Sequence, residues 1–429
     1  MERNSEIYQT YVEILERELV SAMGCTEPIA IAYCAAKARS VLGEIPDKVT
    51  IFASGNIIKN VKSVVVPNTE GRRGIKVAAA AGIIGGNENG GLLVIADIPP
   101  GVKYHIEPYL QQADMQVKAL DSESLLEVEI TVEKGGESAK VHIVDEHTNI
   151  VSIEKNGEVI FEKQEGAEVA ADDTPDYNLL TVADIIDFAD TCDLADVAEL
   201  LEKQIRCNME IAEEGLKGDF GANVGKTIMK EGADNIRTKA KAYAAAGSDA
   251  RMGGCELPVV INSGSGNQGL TTSIPVILYA EEAGVSHEKL LRGLLVANLV
   301  TLHAKTDIGR LSAYCGVVTA GAGAAAGIAY INGGDRKTIS HTIVNTLAIS
   351  SGIVCDGAKA SCAAKIAVAV ESGLLGYEMY QNGQQFYDGD GLVLKGVENT
   401  IRNYGYLGRV AMHDTNTEII HMMIHDRDN

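Results

Sequence analysis

The chain has 429 residues, a formal net charge of −22 and 46% hydrophobic residues. This length exceeds what one hydrophobic core normally supports, so we expect two or three domains. The negative charge argues against nucleic-acid binding and against binding to anionic membrane surfaces, because both need basic patches. We therefore expect a small-molecule substrate as the partner.

Aromatic residues make up only 5% of the chain, whereas glycine occurs 45 times. We expect a core filled by close backbone approach of small residues. The uncharged stretch Leu311–Gly334 is rich in Gly and Ala and too weakly apolar for a membrane span, so it predicts a buried helix. Residues 1–6 lack the apolar region of a secretory signal. These features predict a soluble, cytoplasmic protein whose eight cysteines are thiols, ligands or nucleophiles.

Two helices are predicted at the N-terminus. Apolar side chains at helical spacing over 5–22 predict the first. A second helix follows, with Thr26 as its N-cap and Pro28 in its first turn, and it extends to about Leu42.

Short β-rich runs mixed with helical segments between residues 47 and 165 predict a small α/β (α+β) domain. Lys134 and the two glycines after it indicate a turn between two of its strands. The predicted strands are Lys48–Ala53, Val61–Val66, Leu92–Ile95, Leu126–Val132, Lys140–Val144 and Val159–Phe161, and the predicted helices are Ile75–Ile84 and Tyr104–Gln112.

The acidic segment 166–178, which consists mostly of small residues, predicts a linker, and the remainder of the chain is helical by period. The chain is therefore divided into N-terminal helices with a cysteine-containing turn (1–45), an α/β substrate-side domain (46–170) and a larger all-α helical domain (171–429). The predicted helices of the last domain are 181–190, 194–215, 232–247, 270–282, 287–304, 312–330, 339–352 and 357–371.

Cys315, Cys355 and Cys362 are spaced 40 and 7 residues apart, each among small residues in an apolar stretch. The shorter gap does not match the ligand spacing of structural zinc. Three thiolates would leave one iron of a four-iron cluster open, and an open position distinguishes catalytic from structural metal sites. Spacing alone leaves packing as the alternative, because a buried cysteine behaves as a small hydrophobe.

Cys25 lies in the turn Gly24–Pro28, at or just before a helix N-terminus. The partial positive charge at that position favours a thiolate, which can act as a nucleophile or a general base. The alternative is a capping turn that happens to contain a cysteine. Packing roles are expected for Cys34, Cys192, Cys207 and Cys255.

Two further segments are candidate anion sites. The run Val259–Gly269 matches the G-x-G-x-x-G dinucleotide pattern, but its helical neighbours argue against a Rossmann unit. Its N–H groups, directed by the following helix, are better suited to a carboxylate. The turn Pro67–Gly74 combines polar side chains with two arginines, and a solvated turn is its alternative.

Taken together, five segments resemble the L-cysteine desulfidase family, a serine-dehydratase-alpha-like group, and more distantly the iron–sulfur L-serine dehydratases. The resemblance extends from about residue 5 to residue 420. It implies a small α/β domain and a helical domain that holds a [4Fe–4S] cluster on three cysteines. The segments are Ser21–Pro28, Val66–Arg72, Asn262–Gly269, Gly309–Gly316 and Cys355–Cys362.

The resemblance also implies roles for individual residues. Cys315, Cys355 and Cys362 would be the cluster ligands, and Cys25 would be the base that removes a proton from the substrate. His303 or Lys305 could replace Cys25 as the base, or orient other groups. The implied substrate contacts are Asn68, Thr69, Gly71, Ser263, Gly264, Ser265, Gly266, Asn267 and Gln268.

The implied reaction is β-elimination from a small L-amino acid, most simply L-cysteine to pyruvate, ammonia and sulfide. The 7-residue cysteine interval is shorter than that of the dehydratases and favours the desulfidase branch, and the final residues lack the cysteine that binds the open iron in some dehydratases. L-Serine or another β-substituted amino acid is the alternative substrate. The alternatives from other classes are a non-catalytic ligand-binding or cluster-sensing protein and a dinucleotide-dependent oxidoreductase. Base rates favour a homodimer.

Overall fold

A computed structural model describes residues 1–120, 122, 124–163 and 175–424. It confirms the predicted fold class, a small α/β domain joined to a larger helical domain. The first part of the chain contains α1 (Glu6–Glu18), β1 (Ser21–Met23), α2 (Thr26–Leu42), β2 (Lys48–Ala53), α3 (Gly55–Val61), α4 (Ile75–Gly85), α5 (Pro100–Lys103), α6 (Ile106–Gln112), β3 (Asp114–Ala119), β4 (Glu127–Lys134), β5 (Glu137–Val144), β6 (Ile150–Lys155) and β7 (Glu158–Glu162).

The second part is almost entirely helical, as predicted, and a π-helical turn over Leu407–Ala411 joins its last two helices. The proposed linker lies largely outside the described residues. The elements are α7 (Val182–Thr191), α8 (Ala198–Lys217), α9 (Val224–Met229), α10 (Ile236–Met252), β8 (Pro258–Val260), α11 (Gly266–Ala283), α12 (His287–Thr306), α13 (Val317–Ile331), α14 (Arg336–Ser350), α15 (Cys362–Gln381), α16 (Val397–Tyr406) and α17 (His413–Ile424).

The α/β domain is built on a six-stranded sheet of order β3-β2-β4-β5-β6-β7, in which only β2 and β3 are parallel. Buried residues alternate along β2, β4 and β5, so these strands present one apolar face. The pair Ile51 and Ile130 faces each other on it, and α2 and α4 cover it. The predicted turn after Lys134 joins β4 to β5, with Gly135 and Gly136 at positive φ.

Two predicted strands are wrong. The run Val61–Val66 contains the end of α3 and a turn, and Leu92–Ile95 begins in a 3₁₀ turn. Most of these apolar residues are buried, and a short buried run cannot be assigned to strand or turn by periodicity. Strands β3 and β6 were missed, since their residues are mostly only half-buried or exposed.

The predicted helix 5–22 is also wrong at its end. Helix α1 stops at Glu18, and Ser21–Met23 pairs with Pro258–Val260 in a two-stranded antiparallel sheet. Pairing across more than 200 residues of chain carries no local signal. The cap of the next helix differs by one residue, because Cys25 is the N-cap of α2 and Thr26 is its first residue.

The two main hydrophobic cores divide the N-terminal segment differently from the predicted boundaries. Residues of α1 pack with the helical domain, whereas α2 packs on the sheet. Near the other end, α17 returns to the α/β domain and packs on α3. The segment 1–45 is thus not a unit of its own, because its two helices bury their apolar faces in different cores.

Helix α13 lies at the centre of the helical domain, and all of its residues are buried. A Cβ atom on Gly323 would lie 2.0 Å from Thr301 Oγ1 and 2.4 Å from Ala297 O, so glycine allows α12 and α13 to approach closely. The expectation of a core built on small residues is confirmed here. Among the described residues, we find no helix that is both long and apolar enough to span a bilayer.

Replacing Gly323 with alanine is expected to destabilise the protein. The added methyl group clashes with α12, and overpacking of this kind costs about 1–3 kcal/mol although alanine is the better helix former. The control is Gly101→Ala on α5, where the new Cβ meets nothing within 4 Å. Thermal unfolding should show a lower Tm for Gly323→Ala alone, and an unchanged or higher Tm would contradict this packing.

Candidate active site

A cleft between the two domains brings together most of the side chains that the sequence analysis singles out. Its empty volume, including the open mouth, is about 810 Å³. The first turns of α2 and α11 and the loops before α13 and α15 contribute to its walls. The ionisable and sulfur-containing residues that line it are Cys25, Glu27, Lys59, His147, Arg251, Lys305, Arg310, Tyr314, Cys315, Cys355, Cys362 and Lys365.

The cysteine trio, Cys315, Cys355 and Cys362, lines one part of this cleft. An isolated bridge between Tyr314 and Val354 holds the first two loops side by side. The Cys355 N–H donates to Ala313 O at 2.6 Å. Cys362 is the first residue of α15. Residues that are 40 and 7 positions apart in the chain therefore meet in space.

The electrostatics of the trio favour one thiolate. The neighbouring Cys315 thiol lowers the pKa of Cys355, and the cations Lys59 and Lys305 act in the same direction against the effect of burial. The same contact with Cys355, together with burial, raises the pKa of Cys315. Burial also raises the pKa of Cys362. Thiols that share a site in this way do not ionise independently.

The donor set fits an iron–sulfur cluster. In the described residues, no three His, Cys, Asp or Glu side chains are arranged around a single ion. A four-iron cluster does not need that arrangement, because each thiolate binds a different iron and the sulfurs need not converge on one point. Three soft thiol ligands beside two buried lysines match a cofactor of net negative charge. The cleft also contains buried polar atoms without hydrogen-bond partners in the described chain, including Asn267 Oδ1 and Gln268 Oε1.

Cys25 lies at the N-cap of α2, as expected, and its side chain is 3% exposed. Its thiol donates to Glu27 Oε2 at 2.9 Å. Burial and the charge of Glu27 raise the pKa of Cys25 well above its ordinary value, and Arg251 opposes this only in part. The helix N-terminus therefore does not produce the thiolate that the sequence analysis favours, because an acidic neighbour and desolvation outweigh it.

Glu27 organises the polar groups around Cys25. Its second oxygen, Oε1, accepts a hydrogen bond from Asn60 Nδ2 at 2.9 Å. The ring atom His147 Nε2 lies 4.0 Å from the same oxygen, too far for a hydrogen bond but close enough to act on its charge. Burial raises the pKa of Glu27, but His147 and Cys25 outweigh it, and the pKa falls to about 2. Glu27 is thus a carboxylate at neutral pH.

Replacing Glu27 with glutamine is expected to lower the free energy of unfolding by up to about 3 kcal/mol at neutral pH. The folded-state pKa of about 2 lies below the ordinary 4.5, so the carboxylate stabilises the fold above pH 4.5 and loses this effect as the pH falls towards 2. The difference between wild type and variant should shrink over that range in denaturant unfolding curves. A difference in unfolding free energy that does not depend on pH would contradict the lowered pKa of Glu27. The control is Glu16→Gln, at an exposed site on α1.

The loop before α11 contributes Ser263, Gly264, Ser265, Asn267 and Gln268 to the cleft. These are predicted substrate contacts, whereas Gly266, the predicted contact that begins α11, does not line the cleft. The strand before this loop, β8, pairs antiparallel with β1, which is not the parallel β-α-β unit that a dinucleotide fingerprint needs. The first turn of α11 points instead to an anion site on a helix N-terminus.

The turn with Asn68, Thr69 and Gly71 lies elsewhere. None of these residues lines the cleft. Asn68 Nδ2 donates to Ile95 O at 2.7 Å, and Thr69 Oγ1 donates to Val66 O at 2.7 Å. These bonds hold the turn together, so we leave its residues out of the proposed substrate site.

The structure distinguishes between the two alternative bases, His303 and Lys305. His303 lies outside the cleft and its Nε2 is 2.6 Å from Glu398 Oε2. Lys305 lines the cleft, and burial lowers its pKa to about 8 despite the nearby Cys355 and Cys315. Lys305 therefore remains a candidate base, whereas His303 is placed to orient α16.

Several lining residues were missed by the sequence analysis. Lys59 belongs to α3 and its Nζ donates to Asn416 Oδ1 at 2.8 Å, which ties the site to α17. His147 lies in the turn between β5 and β6. Arg310 and Glu27 lie within the segments Gly309–Gly316 and Ser21–Pro28, so their proximity to Cys315 and Cys25 in the chain was an available signal.

The fold and the cleft define a two-domain protein with a buried site lined by thiols and cations. The family model of the serine dehydratase alpha chain matches residues 101–421. A UPF0597 protein of Desulfitobacterium hafniense is 57% identical over 99% of this chain and 98% of its own length. UPF0597 proteins of Treponema denticola and Lachnoclostridium phytofermentans are 47% and 48% identical, over 98% and 97% of this chain and 98% and 100% of their own lengths.

The chain therefore belongs to the serine dehydratase alpha chain family, which is one of lyase-type enzymes. This confirms the resemblance stated from the sequence motifs.

Proposed function

We propose that this protein is a [4Fe–4S]-dependent lyase that eliminates sulfide from L-cysteine and yields pyruvate and ammonia. The observation that carries the proposal is the convergence of Cys25 and the cysteine trio on one cleft. Family membership supports an elimination reaction on a small hydroxy or thiol amino acid. The thiophilic character of iron favours cysteine over serine.

The trio would hold the cluster, which when bound supplies a Lewis acid that stabilises the leaving sulfur. The residues of this chain would move the proton. Cys25 would take the α-proton in its thiolate form, and Glu27, whose Oε2 lies 2.9 Å from the sulfur, would hold the side chain in position. Because burial and Glu27 raise the pKa of Cys25, the thiolate is a strong base although it is seldom populated.

The electrons of the broken Cα–H bond form the Cα=Cβ bond as the α-proton passes to Cys25. The Cβ–S bond breaks, and the sulfur leaves as hydrosulfide. The aminoacrylate product becomes an imine, and water converts it to pyruvate and ammonia without further help. Lys305 is buried near the trio and has a pKa of about 8. Its positive charge would stabilise the negative charge that develops on that side of the cleft.

L-Serine is the second candidate substrate, because the matching family is named for serine dehydratase. The same groups would then release water instead of hydrosulfide.

The test is an anaerobic assay of the reconstituted protein with L-cysteine, L-serine and other β-substituted amino acids. We expect sulfide and pyruvate in equal amounts from L-cysteine. Pyruvate from L-serine alone would favour the second candidate, and a bound cluster without turnover of any substrate would favour a non-catalytic sensor. Full cysteine-lyase activity in iron-free, colourless protein would contradict the role of the cluster.

A further inference from the structure

Arg251 lies in the last turn of α10 and lines the cleft, and its side chain is only 2% exposed. Within the described part of the chain it makes no ion pair and no side-chain hydrogen bond, and its Nε is buried without a partner. Arginine remains charged when it is buried, and a buried charge without a counter-ion is strongly unfavourable. This position therefore requires an anion.

The neighbouring helix end adds to this requirement. Gly266 begins α11, and a Cβ atom there would lie 2.4 Å from Arg251 Nε, so glycine allows the first turn of α11 to lie against the guanidinium. The N-cap Ser265 makes no side-chain capping bond, which leaves N–H groups of this turn available. A helix N-terminus carries partial positive charge, so the two groups repel each other unless an anion lies beside both.

Among the described residues that line the cleft, no anionic group meets this requirement. Glu27 is the only carboxylate among the described residues that line the cleft, and it already accepts hydrogen bonds from Cys25 and Asn60. Arg251 lies near enough to Cys25 for its charge to act on that thiol. An anion on Arg251 would thus lie close to the proposed base.

We infer that Arg251 and the N-terminus of α11 together bind the α-carboxylate of the amino-acid substrate. This inference rests on the proposed function, which supplies a small L-amino acid. A planar guanidinium can give a carboxylate two parallel hydrogen bonds, and so fix its orientation as well as its position. Fixing the carboxylate next to Cys25 would place the α-hydrogen on the side of the sulfur.

The probe is L-alanine, which has the carboxylate and ammonium groups but no leaving group, so that binding is measured without turnover. Ethylamine is the same molecule without the carboxylate. Calorimetric titration of the reconstituted protein should show binding of L-alanine and weak or undetectable binding of ethylamine. Arg251→Gln should weaken L-alanine binding by about tenfold to a hundredfold. Arg251→Lys keeps the charge but cannot form the two parallel hydrogen bonds, so its affinity for L-alanine should lie between those of the wild type and Arg251→Gln.

The control is Arg292→Gln, at a partly buried arginine on α12 that bonds Glu288 and Ala189 O and does not line the cleft. It should bind L-alanine as the wild type does. Thermal unfolding and the cluster absorption identify any variant that has lost its fold.

The inference is overturned if a folded Arg251→Gln variant binds L-alanine as tightly as the wild type. It is equally overturned if the wild type binds ethylamine as tightly as L-alanine, or binds neither. The binding test and the activity test can fail separately. If the protein binds L-alanine through Arg251 but releases no sulfide or pyruvate, the carboxylate site is supported and the lyase function is contradicted.

Discussion

Replacing Cys355 with serine is expected to remove the cluster and the lyase activity together. The reconstituted wild type should be brown, with broad absorption near ~400 nm from sulfur-to-iron charge transfer. Cys355 is the cysteine of the trio whose pKa is lowered, by Cys315 and by the two buried lysines. Losing a direct ligand should reduce activity by more than about 100-fold, since loss of an outer-shell partner alone costs 10–100-fold. Iron content, absorption and sulfide release measure the effect.

Cys207→Ser is the matched control, because Cys207 lies on α8 outside the cleft. It should keep both colour and turnover. A Cys355→Ser protein that binds four irons and turns over normally would contradict the assignment of the trio as ligands.

Replacing Cys25 with alanine is expected to give a brown protein without turnover. The thiol lies in the cleft but is not one of the proposed ligands, so the iron content should be unchanged. Loss of a general base lowers rates by about 10²–10⁴-fold. Activity and iron content of the same sample are measured together, because their separation distinguishes a lost base from a lost cluster.

Cys34→Ala is the control on the same helix. Cys34 is buried and its thiol donates to Val141 O at 3.3 Å, so the variant should be somewhat less stable but fully active. Normal turnover in Cys25→Ala would remove Cys25 from the mechanism. Lys305, which lines the same cleft, would then be the next candidate for the base.

The charge of the cleft is opposite to the charge of the chain. The protein carries a net charge of −22, yet the described residues of the cleft include five lysines and arginines and one glutamate. A low-dielectric wall strengthens the field of these cations at short range. This distribution suits a site that holds a negatively charged cofactor and an amino-acid carboxylate, and overall composition could not predict it.

Much of the fold followed from local patterns. The β2 range Lys48–Ala53 and the end of α2 at Leu42 match the predicted bounds, because alternation of burial and helix periodicity are properties of neighbouring residues. The cysteine trio, Cys25 and the loop before α11 were also recognisable in the sequence, since each lies in a short motif of small or polar residues.

The remaining features depend on contacts between distant parts of the chain. The pairing of β1 with β8 and the approach of Gly266 to Arg251 join segments that show no mutual pattern in the sequence. Arg251 stands in a helix whose other basic residues are partly exposed, so nothing local marks it as a buried cation. The pKa of Cys25 is raised rather than lowered for the same reason. It depends on burial and on the distance to Glu27, and the folded arrangement of the chain determines both.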